Sequence, residues 1–166
     1  RPSKPEVFRI LEYAWEQGIR RFDTAPGYDS EALLGDFIRV NGIERDVVVL
    51  TKVPGLEGNE SHRARISQSI DLSSRKLNSQ IDTLFFHDPV NSELLLEDER
   101  FFQGLLETRQ INNIGVSVYD PSEVKKIYKI WKPDIIQLPM NVLDNRFFKS
   151  GWLDKLYKSG IEIHVR

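Results

Sequence analysis

The chain has 166 residues, of which 40% are hydrophobic and 29% are charged, and its formal net charge is -2. That size and composition suffice for the core of one domain, so we expect residues 1–166 to form a single domain. Lysine and arginine are dispersed along the chain, which argues against nucleic acid and against an anionic membrane surface as partners.

Three further absences limit the classes of protein that fit the sequence. The sequence contains no cysteine, which excludes disulfides, thiolate metal ligands and a thiol nucleophile. It also fits a reducing compartment, so the cytoplasm is the expected location. The apolar runs are far shorter than the roughly 18 residues of a membrane span, and the opening RPSKPEVF lacks the hydrophobic region of a signal peptide. We therefore expect neither feature in this sequence.

Helix and strand patterns alternate along the first half of the chain. Val7, Ile10, Leu11 and Ala14 have the spacing of one helix face, and Gly18 suits the end of that helix. The elements predicted next are a strand at Ile19–Asp23, a helix at about Ser30–Val40, a strand at Val47–Leu50, a helix through Ile66, Ile70 and Leu77, and a strand at Ile81–Phe86.

The second half continues the alternation. Asp120, Pro121 and Glu123 predict a helix start, with a capping side chain, a proline in the first turn and a carboxylate at the third helical position. The other predicted elements are a helix at Leu94–Thr108, a strand at Ile114–Ser117, a strand at Ile135–Leu138, a helix at Gly151–Lys158 and a strand at Ile161–Val165.

Regular alternation of this kind is typical of parallel βαβ units and predicts an α/β fold. The segments EQGIRRF and KSGIEIH also repeat one pattern of helix end, glycine and strand. A closed (β/α)8 TIM barrel has eight strand-helix pairs in about 250 residues, whereas this chain shows about six. We therefore predict a partial parallel barrel that is incomplete at both ends.

Polar side chains follow several of the predicted strands. Asp23, Lys52 and His87 each come directly after an apolar run, and Ser117 and Gln137 lie at or near the ends of two later strands. Because ligands of parallel α/β folds bind at the carboxyl ends of the strands, we expect these five side chains to converge on one rim.

Each of these residues also has a structural explanation. Asp23 could cap backbone amides in a loop, Tyr28 could be a packing residue, and His87 could begin a turn. Ser117 and Gln137 could be hydrogen-bonded polar groups of the core. Lys52 is harder to explain in this way, because a lysine at the end of a buried strand needs a partner charge or an altered pKa.

Four of these residues together predict an acid catalyst. Tyrosine has a pKa near 10, and a nearby ammonium favours the phenolate and lowers that pKa. Lys52 could act on Tyr28 in this way, Asp23 could keep the lysine charged, and His87 could hydrogen-bond a substrate carbonyl. The combination predicts a general acid directed at a carbonyl oxygen.

The segment GIRRFDTAPGYDSEALLG resembles the signature of the aldo-keto reductase family, and Lys52 and His87 follow it in the family's order. IGVSVYDPSEV and IIQLPMN resemble the segments of the family's fifth and sixth strands. The resemblance implies a (β/α)8 barrel that reduces a small aldehyde or ketone by hydride transfer from NADPH, less often NADH, without a metal. In that scheme Tyr28 is the proton donor, Lys52 and Asp23 support it, and His87 orients the carbonyl.

The resemblance also implies a cofactor site. Ser117 and Gln137 would bind the nicotinamide carboxamide, and Asp23 would contribute beside the cofactor. The family's first strand would precede Arg1, and its segment for the adenosine phosphate would follow Arg166. The oligomeric state stays open.

Two departures from the family pattern keep other functions open. Val118 stands where many members have asparagine, and Asp29 replaces the usual glycine after the tyrosine. A Schiff-base lyase that uses Lys52 is one alternative. A non-catalytic barrel remnant that acts as a binding module is the other.

Overall fold

A computed structural model describes residues 2–53, 56 and 61–166. The chain divides into two compact units, Arg1–Thr83 and Leu84–Arg166, with the boundary inside the third strand. The expectation of a single domain remains a prediction.

Three helices and the first strands form the first unit. The elements are α1 (Lys4–Glu16), β1 (Arg21–Asp23), a 3-10 turn (Pro26–Tyr28), α2 (Glu31–Asn41), β2 (Val48–Val53), α3 (His62–Leu77) and the start of β3 (Ile81–Phe86). The sheet order is β1, β2, β3, and β1 and β2 run parallel with Asp23 opposite Leu50. Five of the six residues of β2 are buried, as its apolar run predicted.

The second unit continues the alternation of strands and helices. Its elements after β3 are a 3-10 turn (Pro89–Glu93), α4 (Leu94–Glu97), α5 (Glu99–Glu107), β4 (Asn113–Ser117), α6 (Pro121–Ile130), β5 (Ile135–Leu138), α7 (Arg146–Lys149), α8 (Trp152–Lys158) and β6 (Glu162–Val165). The sheet order is β3, β4, β5, β6. β5 is parallel to both of its neighbours, β4 and β6. The predicted helix start at Asp120 is confirmed, since its side chain accepts a hydrogen bond from the Ser122 amide and a capping box closes the turn.

Gly35 marks a close approach between α2 and α3. A methyl group at this position would overlap the Lys76 carbonyl oxygen and would lie 2.9 Å from the Leu77 carbonyl carbon. The two helix backbones can pack at this distance only because Gly35 has no side chain. The glycine that ends the quoted signature segment is therefore a packing requirement.

Three details of the sequence prediction were wrong. Ile10 is exposed, because Phe8 instead of Ile10 packs against α2 through an edge contact with Phe37. The single helix predicted for residues 94–108 is broken at Asp98, whose non-helical backbone (φ -142°, ψ 48°) separates α4 from α5. The short helix α7 was not predicted.

Within the described part of the chain, no helix has both the length and the apolar character needed to cross a lipid bilayer.

Candidate active site

Lys52 lies near the carboxyl end of β2, and its residue surface is only 1% exposed. Its ammonium donates hydrogen bonds to both carboxylate oxygens of Asp23, at 2.7 and 2.9 Å, and to the Thr24 carbonyl oxygen at 2.8 Å. These three bonds use the three donors of an ammonium. Lys52 thus has the partner charge that a buried lysine requires.

Asp23 is the partly solvated member of this pair. Its side chain is 39% exposed, whereas that of Lys52 is 2% exposed. A buried ammonium is strongly destabilised unless it is paired, whereas a carboxylate at the surface is hydrated without a partner. The lysine therefore depends on the aspartate more than the aspartate depends on the lysine.

Tyr28 ends the 3-10 turn that follows β1, and its surface is 48% exposed. The Lys52 ammonium lies 5.1 Å from the centroid of the Tyr28 ring, within the range of a cation-π contact. The turn closes at Asp29, which has φ 56° and ψ 18°. This left-handed conformation explains why glycine is usual after the tyrosine and why aspartate, one of the few residues that tolerate it, can replace glycine.

Two side-chain hydrogen bonds connect these strand ends to the start of α2. The hydroxyls of Thr24 and Ser30 share a hydrogen bond of 2.7 Å, and the Thr51 hydroxyl donates to the Glu31 carboxylate at 2.9 Å. Thr24 directly follows Asp23 in the chain, and Thr51 directly precedes Lys52.

A cavity of about 380 Å³ lies beside Asp23 and Tyr28, and most of its other lining residues are apolar side chains of α1, α2 and β1. β1 contributes Phe22 and Asp23 to the lining, and in the described part of the chain β1 pairs with no strand other than β2. The cavity thus lies at the edge strand of the sheet.

In the second unit, Ser117 and Gln137 are neighbours in register on β4 and β5. Both are buried, and the Ser117 hydroxyl donates to the Gln137 side-chain oxygen at 3.3 Å. His164 occupies the next register position on β6, where its ring lies 2.8 Å from the Glu162 carboxylate. Val118, in place of the asparagine of many family members, is fully buried.

Charged side chains surround the Tyr119 loop that follows β4. The Arg166 guanidinium lies 4.3 Å from the centroid of the Tyr119 ring, and Arg146 donates to the Tyr119 carbonyl oxygen at 3.2 Å. Arg146 also holds Asp144 through two hydrogen bonds of 2.7 and 2.8 Å, which keep the pKa of that carboxyl below its ordinary value. These contacts fix the loops at the carboxyl ends of β4 and β5.

His87 directly follows β3 and is half-buried. The structure thus brings together Asp23, Tyr28 and Lys52 in the first unit, and Ser117 and Gln137 in the second. The role of His87 and the convergence of all five polar groups remain predictions.

A family model described as the aldo/keto reductase family matches residues 1–165. The chain belongs to this family. The Asp23–Lys52 pair and Tyr28 lie in the segment whose sequence resembles the family signature, and their catalytic roles remain predictions.

Two of the similar curated proteins are reductases of different kinds. A 9,11-endoperoxide prostaglandin H2 reductase of Trypanosoma cruzi is 29% identical over 142 residues, which cover 83% of this chain and 49% of the relative. Norsolorinic acid reductase B of Aspergillus parasiticus is 34% identical over 130 residues, which cover 69% of this chain and 34% of the relative. The chain thus spans between a third and half of these two proteins.

Solved structures confirm the fold class. The holo form of an aldo-keto reductase from Bacillus halodurans superposes with a TM-score of 0.80 at 24% identity, covering 99% of this chain and 57% of that one. An aldo/keto reductase from Brucella melitensis superposes with a TM-score of 0.77 at 24% identity, covering 99% of this chain and 64% of that one. The chain has the fold of part of an aldo-keto reductase (β/α)8 barrel.

No sequence pattern indicated the residues that contact the neighbours of Asp23 and Lys52. Thr24, Ser30, Glu31 and Thr51 were assigned no role, although each is adjacent to a predicted site residue or a helix start. The available signal was the polar residue Thr51 between the apolar run of β2 and Lys52. No pattern in the sequence pairs Thr51 with Glu31, since the two are 20 residues apart.

Proposed function

We propose that this chain carries the proton-donor half of an NAD(P)H-dependent aldo-keto reductase, which reduces a small aldehyde or ketone to an alcohol. The observation that carries the proposal is the Lys52 ammonium, held by Asp23 and Thr24 and placed 5.1 Å from the Tyr28 ring. A fixed positive charge beside a phenol favours the phenolate, so it makes the phenol a stronger acid. Tyr28 donates its proton to the carbonyl oxygen as the alcohol forms.

The same bonds argue against the lyase alternative. A Schiff-base lysine must present a neutral, accessible amine to a carbonyl carbon. Lys52 is 1% exposed, and all three of its ammonium donors are used. Sodium borohydride treatment with a carbonyl substrate should therefore leave Lys52 unmodified, and a trapped adduct would revive the lyase.

The residues of the second unit suit a nicotinamide cofactor. A carboxamide both donates and accepts hydrogen bonds, and Ser117 and Gln137 offer a hydroxyl and an amide side by side. In the proposal these two residues bind the carboxamide, with NADPH as the expected cofactor and NADH as the second possibility. When bound, the nicotinamide supplies the hydride. The sequence resemblance also assigns Asp23 to the cofactor and His87 to the substrate carbonyl, and both assignments are part of the proposal.

The non-catalytic alternative predicts that neither cofactor nor carbonyl compound is turned over. Asp29 is weaker support for it than the sequence suggested, because its left-handed backbone accounts for the exchange with glycine. Val118 still removes one hydrogen bond that many family members offer. The same absence of cysteine that fits a reducing compartment leads us to propose a cytoplasmic enzyme.

Cofactor binding separates these functions. NADPH fluorescence would be titrated with this chain and with a form extended at both ends to the length of its relatives. We expect binding by the extended form. If the extended form does not bind NADPH, the reductase proposal fails and the binding-module function takes its place.

Replacement of Tyr28 by phenylalanine tests the proton donor. In the extended form we expect Tyr28→Phe to lower kcat by about 10²–10⁴-fold, the usual contribution of a general acid, with NADPH affinity unchanged. Tyr13→Phe is the matched control, since Tyr13 lies on α1 and is 66% exposed. Carbonyl reduction that survives Tyr28→Phe would show that another group donates the proton.

A further inference from the structure

Glu31 is a buried carboxylate whose role the signature does not explain. It is the first residue of α2, and it is only 2% exposed. One of its oxygens accepts the hydrogen bond from Thr51, and the other lies 3.9 Å from the Lys76 ammonium, too far for a hydrogen bond. A charge that is buried with so few partners is expensive, so its position calls for an explanation.

Thr51 links this carboxylate to Lys52. Side chains alternate between the two faces of a strand, so Thr51 points to α2 while Lys52 points to the opposite face. Thr51 is itself 1% exposed, and its hydroxyl donates to Glu31. The bond therefore fixes the end of β2 against the first turn of α2.

A second bond fixes the end of β1 at the same place. Ser30, the residue before Glu31, shares a hydrogen bond with Thr24. Thr24 follows Asp23, and its carbonyl oxygen accepts from the Lys52 ammonium. We call Thr24, Ser30, Glu31 and Thr51 the α2 clamp.

We propose that Glu31 is a positioning residue that acts through Thr51 to hold the Lys52 ammonium against Asp23. The inference deepens the proposed function, because it says what keeps the charge beside Tyr28 in place. The amino-terminal end of α2 contributes a favourable field for the carboxylate. The orientation of Lys52 is thus set from the opposite face of β2, by the contact between Thr51 and Glu31.

Nitrogen-15 NMR of the lysine side chains tests the clamp without any enzymatic activity. A buried ammonium with three acceptors exchanges its protons slowly, and Lys52→Met identifies its signal by loss. In the 166-residue chain we expect Thr51→Val to speed exchange of the Lys52 signal about tenfold, as expected for loss of one well-made hydrogen bond. Thr51→Ser, which keeps the hydroxyl, should restore slow exchange.

Thr83 provides the matched control. It is a fully buried threonine of β3 in the same unit, and its hydroxyl donates to Asp82 instead of to α2. Thr83→Val should leave the exchange of the Lys52 signal unchanged. Equal effects of Thr51→Val and Thr83→Val, or no effect of either, would overturn the inference.

A second pair of variants covers the case in which Thr51→Val does not fold. Glu31→Gln keeps an acceptor for Thr51 and should keep exchange slow, whereas Glu31→Leu removes the acceptor at similar volume and should speed it. Equal exchange rates in these two variants would also refute the role of Glu31.

The pH profile of the extended form tests the effect on catalysis. Weaker placement of the Lys52 charge raises the pKa of Tyr28, so the alkaline fall of kcat should move to higher pH in Thr51→Val and return in Thr51→Ser. If the pH profile of kcat does not shift although proton exchange of the Lys52 signal is faster, the clamp has no effect on catalysis. If the extended form shows no reductase activity, the proposed function fails. The NMR result then tests by itself whether Glu31 and Thr51 position the Lys52 ammonium.

Discussion

Substitution of Gly35 by alanine should destabilise the protein strongly, although the same change usually stabilises a helix. Gly35 lies inside α2, where the carbonyl groups of Lys76 and Leu77 at the end of α3 face it. The new methyl group would overlap the Lys76 carbonyl oxygen and lie 2.8 Å from its carbonyl carbon. Both obstacles are backbone atoms, so no side-chain rotation relieves them and the helices must move apart.

The magnitude follows from two opposing contributions. Alanine is favoured over glycine in a helix interior by about 1 kcal/mol. Overpacking of a close-packed contact costs about 1–3 kcal/mol, and a clash with backbone belongs at the upper end of that range. We therefore expect Gly35→Ala to lower the free energy of unfolding by about 2 kcal/mol.

Gly104 offers the opposite case. It lies inside α5, and nothing comes within 4 Å of a methyl group placed there. Gly104→Ala should therefore show only the helix preference and raise the free energy of unfolding by about 0.5–1 kcal/mol.

Urea unfolding followed by far-UV circular dichroism measures both variants. With a urea dependence of about 2 kcal/mol per molar, Gly35→Ala should lower the midpoint by about 1 M, and Gly104→Ala should raise it by about 0.3–0.5 M. Changes of the same sign in the two variants would refute the argument that the α2–α3 contact, and not helix preference, requires the glycine.

Three further predictions concern charged residues of the first unit. Because the lysine is buried and the aspartate is partly hydrated, Asp23→Ala should lower the free energy of unfolding by about 3 kcal/mol, and Lys52→Met should lower it by less than about 1 kcal/mol. Equal losses of stability in urea titrations would contradict this asymmetry. Asp29→Val should cost about 1–2 kcal/mol more than Asp29→Gly in the same titration, because a β-branched residue is disfavoured at φ 56°, and similar stabilities would argue against a left-handed Asp29. Hydrogen bonds from Lys4 and a neighbouring arginine lower the pKa of Asp36 in the folded protein. Its contribution to the free energy of unfolding is therefore present above the unfolded pKa of about 3.9 and is lost as pH falls through the lower folded pKa. Acid titration of stability should therefore be steeper for the wild type than for Asp36→Asn, and parallel curves would refute that contribution.

Local sequence patterns were sufficient for most of the fold. The strands at Ile81–Phe86 and Ile135–Leu138 have the predicted bounds, because each is a short apolar run between polar turns. The start of α6 also has its predicted cap, since the capping interactions join residues that are close in sequence. The break at Asp98 was not predictable in this way, because the apolar spacing continues across it.

In the candidate site, too, local patterns were predictable from the sequence and contacts between distant elements were not. The sequence predicted a site at Asp23, Tyr28 and Lys52 because polar residues that follow the apolar runs of parallel strands are expected at one edge of the sheet. It could not identify Glu31 as a partner of Thr51, or Lys76 as the neighbour of Gly35. Those contacts join elements far apart in the chain.

The sequence by itself determined the alternation of strands and helices, the family, and the residue types available for chemistry, because these depend on local spacing and on side-chain identity. Tertiary structure decided which lysine donors are used, which member of the ion pair is buried, and why the signature contains a glycine at position 35 and tolerates an aspartate at position 29. These properties depend on distances between separate elements and on the backbone conformation of one turn, and neither is encoded in a local pattern.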